Sequence, residues 1–239
     1  MSSNIILILG TGPNVGIHIT KHFSENGYKT AAVARNPSVD VNNAADLVIK
    51  ADFSDASNIK AIFVEVKKKL GVPNVVVYNA YANPMGATGD PFTVPLNDFV
   101  AGLNINMISP YAAMSEAITG FKDLPKETLK TFIYTGNVCL HLVMPVALNL
   151  ALGKRGVGHM IENAVTLYEK EGYNFYFADE RFADASPMYQ SLNGDAHADF
   201  YLDLATKKEQ GPWEATFVKG HGYVDFGGRI GTIPTIGGA

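Results

Sequence analysis

The chain has a single cysteine, Cys139, and no excess of basic residues. One cysteine excludes an internal disulfide framework and fits a reducing cytoplasm. Lys and Arg number 19 against 23 Asp and Glu, a net charge of −4, which leaves no basic face for nucleic acid. No run of eighteen apolar residues is present, so no membrane span is expected. The first apolar run is too short and too soon broken by glycine for a signal peptide, and the final Ile-Gly-Gly-Ala is no peroxisomal address. His18 with His22, and His159 with Glu162, lack the further ligands a metal site needs, so no metal is expected. Charged residues are few, 18%, and hydrophobic ones make up 47%. The 239 residues therefore suit one α/β domain, or two small ones, with a sizeable core.

What is present begins at Ile5. Five apolar residues to Leu9 read as a strand buried on both faces. Gly10, Gly12 and Gly16 then mark a tight turn, and Val15, Ile19 and Phe23 recur every four residues, as in a helix lying on a sheet. Strand, glycine turn and helix start together form an anion site, in which backbone N–H groups and the helix dipole receive a pyrophosphate.

Along the chain, strands are expected at 29–35, 47–49, 75–77, 131–135 and 173–178, with a last one formed by 215–218 and 223–226. Helices are expected up to Leu70, over 97–121 with a kink at Pro110, from Lys154 to Lys170, and over 196–208. On the 97–121 helix Met107, Tyr111, Met114 and Ile118 fall on one stripe, suited to core or to a subunit seam. Alternating strands and helices imply a doubly wound parallel sheet of about seven strands in one Rossmann domain spanning 1–239, with a small substrate-capping region at about 181–212. The ligand crevice then lies at the strand C-termini, where Gly12, Arg35, Asn79, Asn137 and Asp179 fall. Arg35 stands at the end of the second strand, where an NAD site would carry an acid; a guanidinium there pairs with a 2′-phosphate and favours NADP over NAD. Asp52, after the third strand, is either an adenine contact or a turn cap.

These residues resemble the short-chain dehydrogenase/reductase family. Thr11-Gly12-Pro13-Asn14-Val15-Gly16-Ile17 is similar to its glycine turn, with His18 replacing the last glycine; Asp52 matches its adenine-contacting aspartate; Asn79-Ala80 matches part of its Asn-Asn-Ala-Gly motif. Asn104-Ile105-Asn106 is similar to the segment whose asparagine supports the active site, a role that falls on Asn106. The resemblance implies a cofactor site of Gly10, Gly12, Asn14, Val15, Gly16, Arg35, Asp52, Phe53, Asn79, Ala80 and Lys154. It also implies a catalytic set of Asn106, Asn137 and Lys154. The family's serine and its Tyr-x-x-x-Lys do not survive: Asn137 stands for the serine, Leu150 for the tyrosine, and Lys154 alone is kept.

A carbonyl reduction without that tyrosine lacks its proton donor. Tyr81, His141, Tyr189 and His197 are the candidate substitutes, and Glu180-Arg181, in place of the family's Pro-Gly, suggests a polar or ionic substrate. The expected function is an atypical NADP-dependent oxidoreductase, cytoplasmic, acting on a small polar or activated carbonyl or imine-type molecule. The alternatives are a non-redox cyclase, isomerase or dehydratase on the same scaffold, or a nucleotide sensor. A homodimer or homotetramer is expected, formed through the long helix and the segment after Lys154.

Overall fold

The computed structural model describes residues 4–231. Eight strands form one sheet in the order β3-β2-β1-β4-β5-β6-β7-β8. They are β1 (Ile5–Leu9), β2 (Lys29–Ala34), β3 (Leu47–Lys50), β4 (Val75–Tyr78), β5 (Lys130–Thr135), β6 (Tyr173–Glu180), β7 (Glu214–Val218) and β8 (Gly222–Tyr223). The first seven are parallel, and β8 adds a two-residue antiparallel edge on β7. The helices are α1 (Val15–Glu25), α2 (Val39–Ala44), α3 (Asn58–Lys69), α4 (Leu96–Leu103), α5 (Ser109–Phe121), α6 (Leu148–Tyr168) and α7 (Gly194–Thr206).

The alternation of side chains along β1 shows why both faces are covered. Ile5, Leu7 and Leu9 join the core shared with α3, α5 and α6, whereas Ile6 and Ile8 join the core shared with α1 and α7. All five are buried, which an uninterrupted apolar run demands. The chain order reverses between β1 and β4, and a crevice opens at that switch point.

The expected helix over 97–121 is broken, and the break lies before Pro110. Residues Asn104–Ile108 form a π-turn between α4 and α5. Pro110 has no N–H to give the carbonyl four residues back, that of Asn106. The released Asn106 carbonyl accepts the Tyr134 hydroxyl at 3.2 Å, and the Ile105 carbonyl accepts the Tyr78 hydroxyl at 2.7 Å. Two tyrosines at the ends of β4 and β5 thus complete the backbone bonding that the π-turn gives up. The expected single stripe does not hold within α5. Met114 is buried in the core while Tyr111 is 61% exposed.

At the opposite end of the sheet Asn74 spans three strands. Its Oδ1 accepts from the Ile5 N–H at 2.7 Å and its Nδ2 donates to the Leu129 carbonyl at 3.0 Å. Asn74→Ala leaves both groups buried and unmatched. Urea unfolding at neutral pH is expected to show a loss of about 2–4 kcal/mol.

Candidate functional site

At the switch point a cavity of about 360 Å3 is lined by Gly10, Gly12, Arg35, Asp52, Phe53, Asn79, Ala80, Tyr81 and their neighbours. Gly10 has a φ of 107°, and a Cβ there would meet the Ala80 Cα at 2.7 Å. The close approach is locked by Asn79, whose Nδ2 donates to the Gly10 carbonyl at 2.8 Å. Gly12 differs: a Cβ placed on it has nothing within 4 Å and would project into free space. That space is what a pyrophosphate needs against the backbone. Gly16 packs on Thr11, and Val15 is buried on the sheet, so both form the turn and helix start without lining the cavity. Asn14 also points elsewhere, its Nδ2 donating to the Leu192 carbonyl at 2.9 Å. It ties the glycine turn to the segment before α7.

Asp52 closes a turn and also lines the cavity. Its Oδ1 accepts from the Ser54 N–H at 2.9 Å, before α3. The Phe53 carbonyl accepts the Ser109 hydroxyl at 2.8 Å, which fixes the start of α5 against this wall. Arg35 lines the cavity and forms no ion pair among the described residues.

The second half of the site is built on the π-turn. Asn106 is fully buried; its Oδ1 accepts from the Ala82 N–H at 2.9 Å and its Nδ2 donates to the Ala82 carbonyl at 2.8 Å. The same Nδ2 is 2.9 Å from Asn149 Oδ1, and Asn149 Nδ2 donates to the Phe99 carbonyl at 2.7 Å. Gly153 on α6 makes this contact possible, since a Cβ there would come within 2.9 Å of the Asn106 carbonyl oxygen. Asn106 therefore clamps the segment after β4. Asn149 was not foreseen from the sequence, although it stands four residues before Gly153, on the face of α6 that meets Asn106.

Helix α6 starts at Leu148, a turn and a half earlier than the sequence suggests, so Leu150 and Lys154 share one face. Lys154 is buried at the end of β5, and its Nζ donates to the Thr135 carbonyl at 2.6 Å. Nζ also lies 4.5 Å from the centre of the Tyr134 ring. Burial draws the Lys154 pKa down to about 8, with Cys139 and Asp179 opposing the shift. Leu150 packs with Cys139, Ala147, Ala151 and Met144, and is 9% exposed. The place that a tyrosine would take is a closed apolar nest rather than open cleft. Asn137 Oδ1 accepts from the Cys139 N–H at 3.0 Å, leaving its Nδ2 without a partner among the described residues.

Glu180 and Arg181 are turned inward and do not line the nucleotide cavity, so they lend no support to a polar or ionic substrate. Both are buried, as is Asp179. Arg181 Nε donates to Asp179 Oδ2 at 2.6 Å and its Nη1 to the Ala185 carbonyl at 3.1 Å. Glu180 Oε2 accepts from the Asn193 N–H at 2.8 Å. Burial raises the Asp179 pKa to about 6, and the Arg181 charge offsets part of that rise. These charges brace the segment between β6 and α7. The loops after β4 and β5 carry exposed apolar side chains: Met85, Phe92, Val143 and Val146. Asn83 Nδ2 donates to the Val146 carbonyl at 3.4 Å, joining the two loops that bear them.

Two of the candidate acids fail on geometry. His197 is fully buried, with Nδ1 2.8 Å from the Asn193 carbonyl and Nε2 unpartnered, and burial lowers its pKa to about 4. His141 pairs with Glu214 at 2.6 Å, beside a separate pocket at the β7–β8 edge. Tyr81 lines the cavity at 65% exposure, and Tyr189 sits between β6 and α7 with a φ of 47°.

Comparison with known proteins gives consistent relatives. A family model described as Enoyl-(Acyl carrier protein) reductase matches residues 11–172. Short chain dehydrogenase/reductase dmxR12 of Cryptosporiopsis sp. (strain 8999) is 40% identical over 237 residues, covering 95% of this chain and 96% of the relative. Among solved structures, a metagenomic short-chain oxidoreductase in complex with NADP superposes with a TM-score of 0.77 at 16% identity, over 90% of this chain and 96% of the other. NADH-dependent reductase A1-R′ complexed with NAD gives 0.77 at 16% identity, over 91% and 94%. At those identities the two structures bear on the fold alone. Among the described residues no helix is long and apolar enough to cross a membrane, and no group of three metal-ligating side chains occurs.

The neutral His197 has a pH signature. Its pKa is about 4 in the fold against about 6.5 unfolded, so its contribution is complete above pH 6.5 and is lost as the pH falls towards 4. The raised Asp179 and Glu180 act in the opposite sense. His197→Phe is therefore expected to gain stability relative to the parent on acidification, by up to about 3 kcal/mol between about pH 7 and pH 4. Chemical unfolding at several pH values checks this.

Proposed function

Since the chain belongs to the short-chain dehydrogenase/reductase family, we propose that it is an NADP-dependent oxidoreductase of an atypical branch, acting on an activated carbonyl or imine-type carbon set on an apolar body. One observation carries this reading: an intact dinucleotide cradle and a buried Lys154 coexist on a chain that lacks the phenol Lys154 would normally assist. The residues fit a dinucleotide. Gly12 offers the free space its phosphates require, α1 adds its N-terminal dipole, and Asp52 and Phe53 flank the adenine end. Arg35, in no ion pair among the described residues, suits a 2′-phosphate. A relative of known structure is described as binding NADP and another as binding NAD, so the preference rests on Arg35.

When bound, a reduced nicotinamide supplies a hydride to an electrophilic carbon. The chain's own residues do the rest. Asn106 and Asn149 hold the segment after β4 to α6 and so keep the two halves of the site in register. The free Nδ2 of Asn137 donates to a substrate oxygen as negative charge develops on it. The apolar side chains of Met85, Phe92, Val143 and Val146 receive an apolar substrate body and exclude water. Leu150 favours a second reading, a non-redox cyclase, isomerase or dehydratase on the same scaffold, because its apolar nest offers no phenol. Consumption of NADPH with product formation separates the two.

The protein is further proposed to self-associate through α4, the π-turn, α5 and α6, where Val100, Ile108, Tyr111 and Leu152 are exposed. Light scattering at micromolar concentration is expected to give a dimer or tetramer mass, and a monomer mass contradicts it. For the cofactor, calorimetry is expected to show NADPH binding more tightly than NADH. Arg35→Ala is expected to weaken NADPH by roughly 10–100-fold while leaving NADH nearly unchanged. An undiminished NADPH preference in that variant contradicts the assignment.

A further inference from the structure

Three buried phenols lie on β4, β5 and α7, and all of them are committed. Tyr134 donates to the Asn106 carbonyl, Tyr78 to the Ile105 carbonyl, and Tyr201 to Thr135 Oγ1 at 2.8 Å. Burial pushes each of these phenols above its ordinary range, the wrong direction for an acid. The Cys139 thiol is pushed up by burial as well.

Lys154 is different. An ammonium has three N–H donors. One goes to the Thr135 carbonyl, and the face of the Tyr134 ring lies beside the group. No carboxylate pairs with it among the described residues; Asp179, which acts on it through its charge, is paired with Arg181. The cation thus sits at the end of β5, one turn from Leu150, with donor capacity left over and no carboxylate bonded to it among the described residues.

Building on the reductase reading, we propose that Lys154 is itself the proton donor: its Nζ–H protonates the substrate oxygen directly, in the role a tyrosine hydroxyl would have filled from position 150. The atoms balance simply. A C–H bond forms as the carbonyl carbon accepts the hydride of NADPH, the π pair of the C=O bond moves to oxygen, and one N–H bond of Lys154 breaks as the O–H bond forms. The neutral amine then regains a proton from water in the cleft. The buried site suits this cycle, since desolvation favours the neutral amine left behind and brings the pKa to about 8, closer to neutral pH than an ordinary lysine. The apolar nest at Leu150 contributes to the same end, because a hydrogen-bonding group there would stabilise the ammonium.

The test uses the full chain with isotopically labelled lysine, saturated with NADP. The side-chain NMR signal of Lys154 is assigned by its loss in Lys154→Arg. Its titration is expected to have a midpoint near 8. The single-turnover rate of benzil reduction by bound NADPH is expected to fall about tenfold per pH unit above that same midpoint. Lys154→Arg keeps a cation but removes a usable acid, so it is expected to slow the step by about 100-fold or more at saturating NADPH. A Lys154 midpoint in the ordinary range near about 10.4 overturns the inference. So does an alkaline limb that survives Lys154→Arg but vanishes in Cys139→Ala, and so does failure to reduce benzil with NADPH bound. A protein that binds neither NADP nor NADPH overturns the reductase reading, and this inference falls with it.

Discussion

Pro110 has no N–H, and the candidate site depends on that missing donor. An uninterrupted α-helix over this stretch would close the Asn106 carbonyl into its own ladder. Pro110 prevents it, and the chain absorbs the defect as a π-turn over Asn104–Ile108. The freed carbonyls would be costly if left bare inside the protein. Tyr78 and Tyr134, at the ends of neighbouring parallel strands, reach them with their hydroxyls. A break in one helix is thereby tied to two strands of the sheet. The Asn106 side chain is left aimed at Ala82 and Asn149 instead of at solvent.

From that clamp the two halves of the site inherit their spacing. The cofactor half is set by the glycine turn and the Asn79 bond to Gly10; the reacting half is set by α6, held against Asn106 because Gly153 has no side chain. Between them Lys154 is fixed by the Thr135 carbonyl, whose own hydroxyl is held by Tyr201. A buried cation with no anionic partner is expensive to maintain. Its retention beside an apolar Leu150 nest is easier to understand as a device for moving a proton than as a structural strut. The buried Asp179–Arg181 pair, by contrast, has matched charges and a backbone partner, and braces the segment between β6 and α7.

Much of the fold was legible because its signals are local. Strand β1 announces itself by five consecutive apolar residues, and the glycine turn by its position directly after them. Arg35, Asp52 and Asn79 were legible as cavity residues because strand ends in a doubly wound sheet converge on one crevice. Other features depend on contacts that spacing does not encode. The Met107–Ile118 stripe assumed that all four residues share one environment, yet within α5 Met114 is buried while Tyr111, three residues earlier, is exposed. Glu180 and Arg181 read as substrate-facing charges, but their partners, Asn193 and Asp179, turn them inward. The short helix α2 carries too little pattern in six residues to be foreseen. Pro110 was visible throughout; what it released, and which tyrosines would answer, required the three-dimensional arrangement.

The account's central claim is that this crevice holds a nicotinamide dinucleotide against the glycine turn. Gly12 isolates that claim, because a side chain placed there touches nothing in the folded chain yet occupies the space reserved for the phosphates. Calorimetric titration of NADPH into the parent protein and into Gly12→Val, with thermal unfolding of both in the absence of cofactor, is the most direct measurement. The account predicts matching unfolding temperatures, binding by the parent, and a loss of affinity of about 100-fold or more in the variant. Equal binding by both proteins, or no binding by the parent, would contradict it.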